Sequence, residues 1–274
     1  MAMNLPCLHR AARLVPNALV VGVLALLMLN RAGAQESTNG FVAADFLLAP
    51  LRVHLLTATN EPAIHTRLTS NDVVRILGKV NRVWAQAGIT FYLESLLTEP
   101  AQNTSDYLKR AKEDERTALL ALRPKDSLAT NCFHVFYLRQ IQPNGIYFNA
   151  QGIFVKDTAR LRPVEGGLDE PLPRVTAHEL GHALTLAHRQ NATNLLASGM
   201  SGGWLDAVEI AQARKAVQHR PWVESASAML QRAEALQREN KSAEARELYR
   251  RLTHVPVEGD VVRLARRRLE QAGN

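Results

Sequence analysis

The sequence lacks long apolar runs and dense basic tracts, the features that mark two large classes of protein. No segment is apolar for long enough to cross a membrane as a stable helix, and the longest apolar run lies near the N-terminus. Aromatic residues make up 5% of the chain and the net charge is +7, with no basic tract in which aromatics are interleaved, so we predict no nucleic-acid partner. The remaining composition is that of a globular protein, which excludes disorder and fibrous structure.

The N-terminal segment has the features of an export signal. Arg10 and Arg13 precede an apolar run at 18–29, and an A-x-A cleavage motif ends at Ala34. The run is shorter than the roughly 20 residues that a membrane-spanning helix needs. This pattern predicts a signal peptide over residues 1–34, cleaved after Ala34, and a secreted or periplasmic mature chain with no stable membrane insertion. An uncleaved membrane anchor is the alternative.

Cysteine is scarce, with only Cys7 and Cys132 in the sequence. Loss of residues 1–34 would leave Cys132 alone, which excludes an internal disulfide although an exported chain meets an oxidising compartment. Cys132 begins an apolar stretch, and we interpret it as a small buried hydrophobe. Three arginines would leave with the signal, so the net charge would fall from +7 to a mild +4.

Hydrophobic periodicity predicts alternating strands and helices through the middle of the chain. Strands are predicted at 51–58, 89–96, 132–141 and, once or twice, within 145–157. Helices are predicted at 73–87, at 105–122, around 178 after a loop at 162–174, and from residue 205. Residues 69–71 offer N-caps to the first helix and Gly88 ends it. The order predicts a mixed α/β fold of the α+β class, with a sheet packed on helices.

The chain divides in sequence near Pro221. Residues 35–220 are predicted to form the main domain, whereas residues 221–274 are helical throughout and rich in Ala, Arg and Glu. The segment 228–252 has the spacing of a tetratricopeptide-like helix hairpin, and one such unit is too short for a solenoid. This extension either packs as a C-terminal appendage or serves as a docking surface for a protein partner.

The segment from Arg174 to His188 contains a pattern suited to metal chemistry. His178 and His182 are four residues apart, so in a helix their imidazoles project from one face and can bind one cation. Glu179 lies beside them and can act as a general base toward water activated by zinc. Thr176 is the expected N-cap of this helix, and Gly181 is expected to let the backbone of a neighbouring element come close.

A third ligand is needed to complete such a site. His188 follows His182 at six residues and is the leading candidate. Asp206 and Glu209, at the start of the next helix, are the alternatives, although their charge also suits a helix N-terminus. Among the other histidines, His54 and His134 are interpreted as structural residues, and His219 and His254 as surface residues.

The segment HELGHALTLAH resembles the zinc-binding signature of the metzincin metallopeptidases, of matrixin-like or reprolysin-like type. The resemblance extends to VNRVWAQAGITFYL, GIFVKD and NLLASGMSGGWLDAVEIAQARKAV, and these segments span most of residues 50–220. It implies a twisted sheet packed on two long helices with a small C-terminal subdomain, Zn²⁺ held by three histidines, and a carboxylate as general base. Carried to this sequence, the ligands are His178, His182 and His188, and the base is Glu179.

The resemblance also implies a substrate site and a hydrophobic floor beneath the histidines. A peptide would lie extended along an edge strand at Gly152, Ile153 and Phe154. Leu196 would form the floor where the family has methionine, because the two side chains have nearly equal volume, and Met200 is the second candidate. No tyrosine occurs between Tyr147 and Tyr249, so the tyrosine ligand of astacin-like relatives is absent.

One further departure from the family pattern affects the ligand set. Thr185 stands where the family has the glycine at which the helix ends and the chain turns toward the third histidine. A β-branched residue in a left-handed conformation costs on the order of 1 to 2 kcal/mol more than glycine. This cost is small beside zinc binding, which contributes on the order of 10 kcal/mol in structural sites. Thr185 is therefore compatible with His188 as a ligand, in this or another turn geometry.

These features predict an exported zinc-dependent endopeptidase that acts on protein or peptide substrates. One alternative is a non-catalytic, zinc-stabilised protein that docks a partner through its C-terminal helices. Glu179 argues against it, since a structural zinc site needs no base and normally closes its fourth position with a protein ligand. Another alternative is an amidase that cleaves cell-wall peptides, because the same chemistry serves any planar carbonyl.

Overall fold

The computed structural model of the chain describes residues 40–271, and one mixed sheet runs through them. Its strands are β1 (Leu47–Thr57), β2 (Ile89–Pro100), β3 (Phe133–Leu138), β4 (Gly145–Phe148), β5 (Gly152–Lys156) and the short β6 (Glu224–Ser225). The order is β2-β1-β3-β5-β4, and β6 pairs with the start of β1. Neighbours are parallel except for β4 on β5 and β6 on β1.

Seven α-helices accompany the sheet within the described residues. They are α1 (Ser70–Trp84), α2 (Thr104–Ala118), α3 (Pro171–Ala183), α4 (Ala207–Gln218), α5 (Ala226–Arg238), α6 (Ser242–Leu252) and α7 (Asp260–Gln271). The predicted mixed α/β fold is confirmed. No helix in the described part of the chain is long and apolar enough to span a membrane. The predicted signal peptide lies outside the described residues.

Helix α1 illustrates how local sequence signals define the start and the end of a helix. Thr69 and Asp72 form a reciprocal capping box at its start, with the Asp72 N–H 3.3 Å from Thr69 Oγ1 and the Thr69 N–H 2.9 Å from Asp72 Oδ2. After a short 3₁₀ turn at Ala85–Ala87, Gly88 adopts a left-handed conformation with φ of 58° and the chain enters β2. The predicted cap region and stop are both confirmed.

Alternation along β1 divides the core into two faces. Its odd-numbered side chains from Leu47 to Leu55 pack with α1 and α3 in the main hydrophobic cluster, in which Trp84 is fully buried. Leu56 faces the opposite side, toward α2 and a second cluster. The sheet therefore places α3, the histidine helix, against one face, beside α1.

The C-terminal helices pack against the beginning of β1. A third cluster joins α5, α6 and α7 to Phe46, Leu48 and Tyr92, and the Ala226 N–H donates to the Phe46 carbonyl at 2.8 Å. The residues that follow Pro221 thus pair with β1 through β6 and pack against the residues before Pro221 through apolar contacts.

Two elements depart from the predicted boundaries. The helix predicted at 105–122 is interrupted at Asp114, whose φ and ψ of −145° and 85° are not helical, and it continues as a 3₁₀ turn at Leu119–Leu122. The strand predicted as an edge is also in a different place: β5 pairs with β3 on one side and β4 on the other, so β4 is the edge. Pairing between distant strands decides which one is outermost, and no local pattern reports it.

Two buried histidines join the central strands. His54 on β1 donates through Nδ1 to the carboxylate of Glu99 on β2, and its Nε2 lies 2.8 Å from Nδ1 of His134 on β3. The Ala129 N–H completes the chain by donating to His134 Nε2 at 3.2 Å. His134 Nε2 also lies 2.9 Å from the Ala129 carbonyl. Both imidazoles are buried and hydrogen-bonded, so the interpretation of these residues as structural is confirmed.

Stability is expected to fall below neutral pH through this pair. Burial lowers the pKa of His54 from 6.5 to about 4, and the neighbouring His134 and Arg52 lower it further, although the hydrogen bond to Glu99 opposes them. Burial also lowers the pKa of His134. The unfolded chain therefore takes up protons first as the pH falls, and stability present above pH 6.5 is lost toward pH 4. We expect about 3 kcal/mol of this loss to come from His54.

Urea unfolding of the wild type and of His54→Gln measures this effect. The glutamine keeps a polar side chain but does not titrate, so the variant should lose less stability than the wild type between neutral pH and pH values near 4. A chelator in all samples removes any contribution from metal binding. Equal losses in the two proteins would contradict the prediction.

Candidate metal centre

Helix α3 begins earlier than its sequence suggests. Pro171 and Pro173 were expected in a loop, but both lie in the first turn, where the missing N–H of proline is not needed for helical hydrogen bonding. The predicted N-cap role of Thr176 is therefore wrong. Thr176 lies inside the helix, where its Oγ1 is 2.8 Å from the hydroxyl of Tyr137 on β3. This contact fixes α3 against the sheet two residues before His178.

The three predicted histidines converge. Nε2 of His178 lies 3.1 Å from Nε2 of His182, and Nε2 of His188 lies 3.3 Å and 3.1 Å from these two atoms. His178 is buried, His182 is half-buried and His188 is exposed. In residues 40–271, this is the only group of three or more His, Cys, Asp or Glu side chains close enough to hold a metal ion.

Thr185 produces the turn that brings the third histidine back. Its φ is 70°, which is left-handed, and the hydrogen bonds are those of a Schellman motif. The Leu186 N–H donates to the Gly181 carbonyl at 2.9 Å, and the Thr185 N–H donates to the His182 carbonyl at 3.0 Å. Threonine thus adopts the conformation that glycine would adopt more easily.

A glutamine from helix α4 holds this turn. Nε2 of Gln212 donates to the carbonyl of Thr185 at 2.7 Å and lies 3.2 Å from its Oγ1. The second contact requires a hydroxyl, so it is specific to threonine or serine. The threonine side chain therefore gains a contact that glycine could not make, which offsets part of the backbone strain.

Two main-chain carbonyls fix the orientation of the two helical histidines. Nδ1 of His178 donates to the Leu195 carbonyl, and Nδ1 of His182 donates to the Leu186 carbonyl, each at 2.8 Å. A proton on Nδ1 leaves the lone pair on Nε2, the nitrogen that each ring directs toward the other two. Both rings are thus held in the tautomer that binds a metal through Nε2.

A buried arginine was missed by the sequence reasoning. Arg174, one turn before His178, is 2% exposed and donates to the carbonyls of Gly202, at 3.1 Å, and of Ala197. Its side chain therefore holds the loop that supplies the Leu195 carbonyl. Burial, followed by the charge of Arg174, lowers the pKa of His178 to about 3, and burial also lowers the pKa of His182. Both imidazoles are neutral near pH 7, as metal binding requires.

Glu179 lies at the side of the cluster and contacts the edge strand. It is 5% exposed, and burial raises its pKa to about 8, although Arg174 and the Tyr147 N–H act in the opposite direction. A Cβ atom on Gly145 of β4 would lie 2.8 Å from Glu179 Cγ and 2.6 Å from Val175 Cγ1. Only glycine lets β4 approach α3 this closely. The sequence offered one signal, a glycine at the start of a predicted strand.

A cleft of about 750 Å³ opens beside the histidines. The edge strand β4 and the interrupted part of α2, Glu113–Arg116, both line it. His182, His188 and Glu179 line it together. The cleft thus brings two of the clustered histidines, a carboxylate and a free strand edge into one space.

The predicted substrate residues lie elsewhere. Gly152, Ile153 and Phe154 belong to the interior strand β5, and Ile153 and Phe154 are 1% and 0% exposed. The edge position on which this prediction rested is therefore wrong, because β5 pairs with β3 and with β4 and the side chains of Ile153 and Phe154 lie in the core. The edge that faces the cleft is β4, at Gly145–Phe148.

The two candidates for the floor differ in position. Leu196 is fully buried, and its Cδ1 would lie 3.2 Å from a Cβ on Gly181, between the two helical histidines. Gly181 thus admits a side chain where the approach of a backbone was expected. Met200 is half-buried, and its backbone bridges to Arg162.

The alternative ligands have other partners. Asp206 and Glu209 form the capping box of α4, with the Glu209 N–H 2.8 Å from Asp206 Oδ1. Glu209 also accepts from Arg189 at 2.8 Å and from Asn194 at 2.7 Å. Neither carboxylate belongs to the histidine cluster, so His188 is the third residue of the group. Cys132 is buried, and burial raises the pKa of its thiol to about 11, as expected of an unreactive side chain.

Comparisons with known proteins do not assign this site. No family model matches the sequence, and a search of curated proteins finds no match. The chain is similar to one in a solved structure described as "Structure of a chaperone-substrate complex", with 13% sequence identity and a TM-score of 0.36. The similarity covers 64% of this chain and 36% of that chain. A TM-score this low supports neither a family nor an activity.

Proposed function

We propose that the chain is an exported, zinc-dependent endopeptidase of the metzincin kind. The observation that carries the proposal is the triangle of Nε2 atoms of His178, His182 and His188, with separations of 3.1 to 3.3 Å. An ion about 2.0–2.1 Å from three nitrogens in tetrahedral geometry holds them about 3.3 Å apart, so the residues fit zinc. Export rests on the sequence pattern of residues 1–34.

Zinc at this position would lower the pKa of water and polarise a carbonyl oxygen. The chain's own groups would position the substrate and transfer the proton. Edge strand β4 can pair with an extended peptide through its outer main-chain groups, which positions a peptide bond in the cleft. The positive charge of zinc would lower the pKa of Glu179 and favour its ionised form, so that its carboxylate could accept a proton from the attacking water and return it to the leaving amine. Arg174 and the carbonyls of Leu195 and Leu186 hold the histidines during both steps.

Hydrolysis of a quenched fluorescent casein tests the proposal. The zinc-loaded chain should cleave it, a chelator should stop cleavage, and added zinc should restore it. A zinc-loaded, folded chain that leaves casein intact would overturn the endopeptidase assignment. Cleavage that continues in the chelator would overturn the role of the metal.

Replacement of Gly145 by alanine should reduce hydrolysis without weakening zinc binding. The added methyl group would lie 2.8 Å from Glu179 Cγ, so the carboxylate or β4 must move. A displacement of about 1 Å in a catalytic group can cost on the order of 100-fold in rate. None of the three histidines contacts Gly145 in this way, so we expect zinc affinity to stay within about threefold.

Steady-state hydrolysis and a chelator-competition assay measure the two effects. Gly78→Ala on α1 is the matched control, because a Cβ there meets nothing within 4 Å and alanine favours a helix. Gly145→Ala with unchanged hydrolysis would show that Glu179 needs no fixed position.

A further inference from the structure

A second cavity lies among the C-terminal helices, with a volume of about 280 Å³. It shares no residue with the cleft beside the histidines. Helix α6 contributes three residues at helical spacing, and one residue comes from each of α5 and α7. The lining residues are Gln237, Ser242, Arg246, Tyr249 and Arg268.

Unpartnered donors converge on this cavity. In residues 40–271, five buried side-chain nitrogen or oxygen atoms have no hydrogen-bond partner, and three of them belong to lining residues: Nε of Arg246, the hydroxyl of Tyr249 and Nε of Arg268. Tyr249 is 2% exposed. Buried polar groups are nearly always hydrogen-bonded, so three such donors around one cavity point to a ligand that accepts hydrogen bonds.

The two arginines also differ from their neighbours in charge pairing. Most arginines on α6 and α7 pair with a carboxylate within 3.2 Å: Arg250 and Arg251 with Glu247, Arg263 with Asp260, and Arg266 with Glu258. Arg246 and Arg268 form no ion pair or hydrogen bond within the described part of the chain. Two guanidinium groups on one cavity repel each other, and an anion between them would replace repulsion with attraction.

We propose that this cavity binds a tetrahedral oxyanion of the phosphate class, either inorganic phosphate or a phosphate monoester. Donors from α6 and α7 surround the space, which suits a group with acceptor oxygens in several directions better than a planar carboxylate. Guanidinium groups bind phosphate through paired N–H donors. Ser242 is the first residue of α6, where the helix dipole also favours negative charge.

Calorimetric titration of the full chain with inorganic phosphate tests this site. A chelator keeps the histidine centre free of metal, and sodium chloride holds the ionic strength constant. We expect saturable binding that is about tenfold weaker in Arg246→Gln and in Arg268→Gln. Arg267→Gln is the matched control, because Arg267 is exposed on α7 beside Arg268 and does not line the cavity. This variant should bind as the wild type does.

The competition and variant experiments test two points separately: which class of ligand binds, and whether it binds in this cavity. O-phosphoserine should compete with phosphate if a monoester fits, and acetate should compete poorly. Acetate that binds as tightly as phosphate would overturn the phosphate assignment. No binding by the wild type, or equal binding by the wild type and both arginine variants, would overturn the site. Tyr249→Phe removes one donor without altering charge, and it tests the site if an arginine variant fails to fold.

Discussion

Glu179→Gln is expected to reduce casein hydrolysis by about 10²- to 10⁴-fold, the usual contribution of a general base, while zinc stays bound. Glutamine has nearly the shape of glutamate, so the close contact with Gly145 is retained. The glutamine amide cannot accept a proton, however, so the attacking water would not be deprotonated. Because Glu179 is not one of the three clustered side chains, the ligand set would be unchanged.

The rate of casein hydrolysis is measured at saturating substrate. The zinc content is measured by atomic absorption. Glu165→Gln is the matched control: the substitution is the same, and the residue is exposed on the loop before α3. It should behave as the wild type. A Glu179→Gln protein that is metal-loaded and retains more than about a tenth of the rate would show that another group takes the proton.

Local signals in the sequence were sufficient to predict several features of the structure. The capping box of Thr69 and Asp72 and the left-handed Gly88 bound α1, and both features depend only on residues within one turn of the helix end. The pairing of His178 with His182 is likewise local, because four residues of helix place two imidazoles on one face. The return of His188 required a left-handed turn at Thr185, which the structure contains.

Features that depend on long-range pairing were missed or misplaced. A single alternating strand does not report whether it has one neighbour or two, so β5 was taken as the edge instead of β4. Arg174 resembles a surface charge in sequence, yet it is buried because the carbonyls of a distant loop receive its donors. The glutamine that holds Thr185 comes from α4, 27 residues away. No short window contains such contacts.

His188→Ala should weaken zinc binding by more than about 100-fold, since even outer partners of metal ligands cost 10- to 100-fold when they are replaced. The same change should have little effect on the metal-free chain. His188 is exposed, and substitutions at such positions usually alter stability by less than about 0.5 kcal/mol. The predicted loss therefore appears only when zinc is present.

Thermal unfolding with and without zinc distinguishes a ligand from a structural residue. A 100-fold loss of affinity removes about 2.7 kcal/mol of zinc-dependent stabilisation at saturating metal, so the midpoint should rise much less on zinc addition than in the wild type. His219→Ala, an exposed histidine just after α4, is the control and should keep the full rise. An unchanged rise in His188→Ala would leave only His178 and His182 as ligands, and the three-histidine centre, with the metzincin resemblance that predicts it, would have to be abandoned.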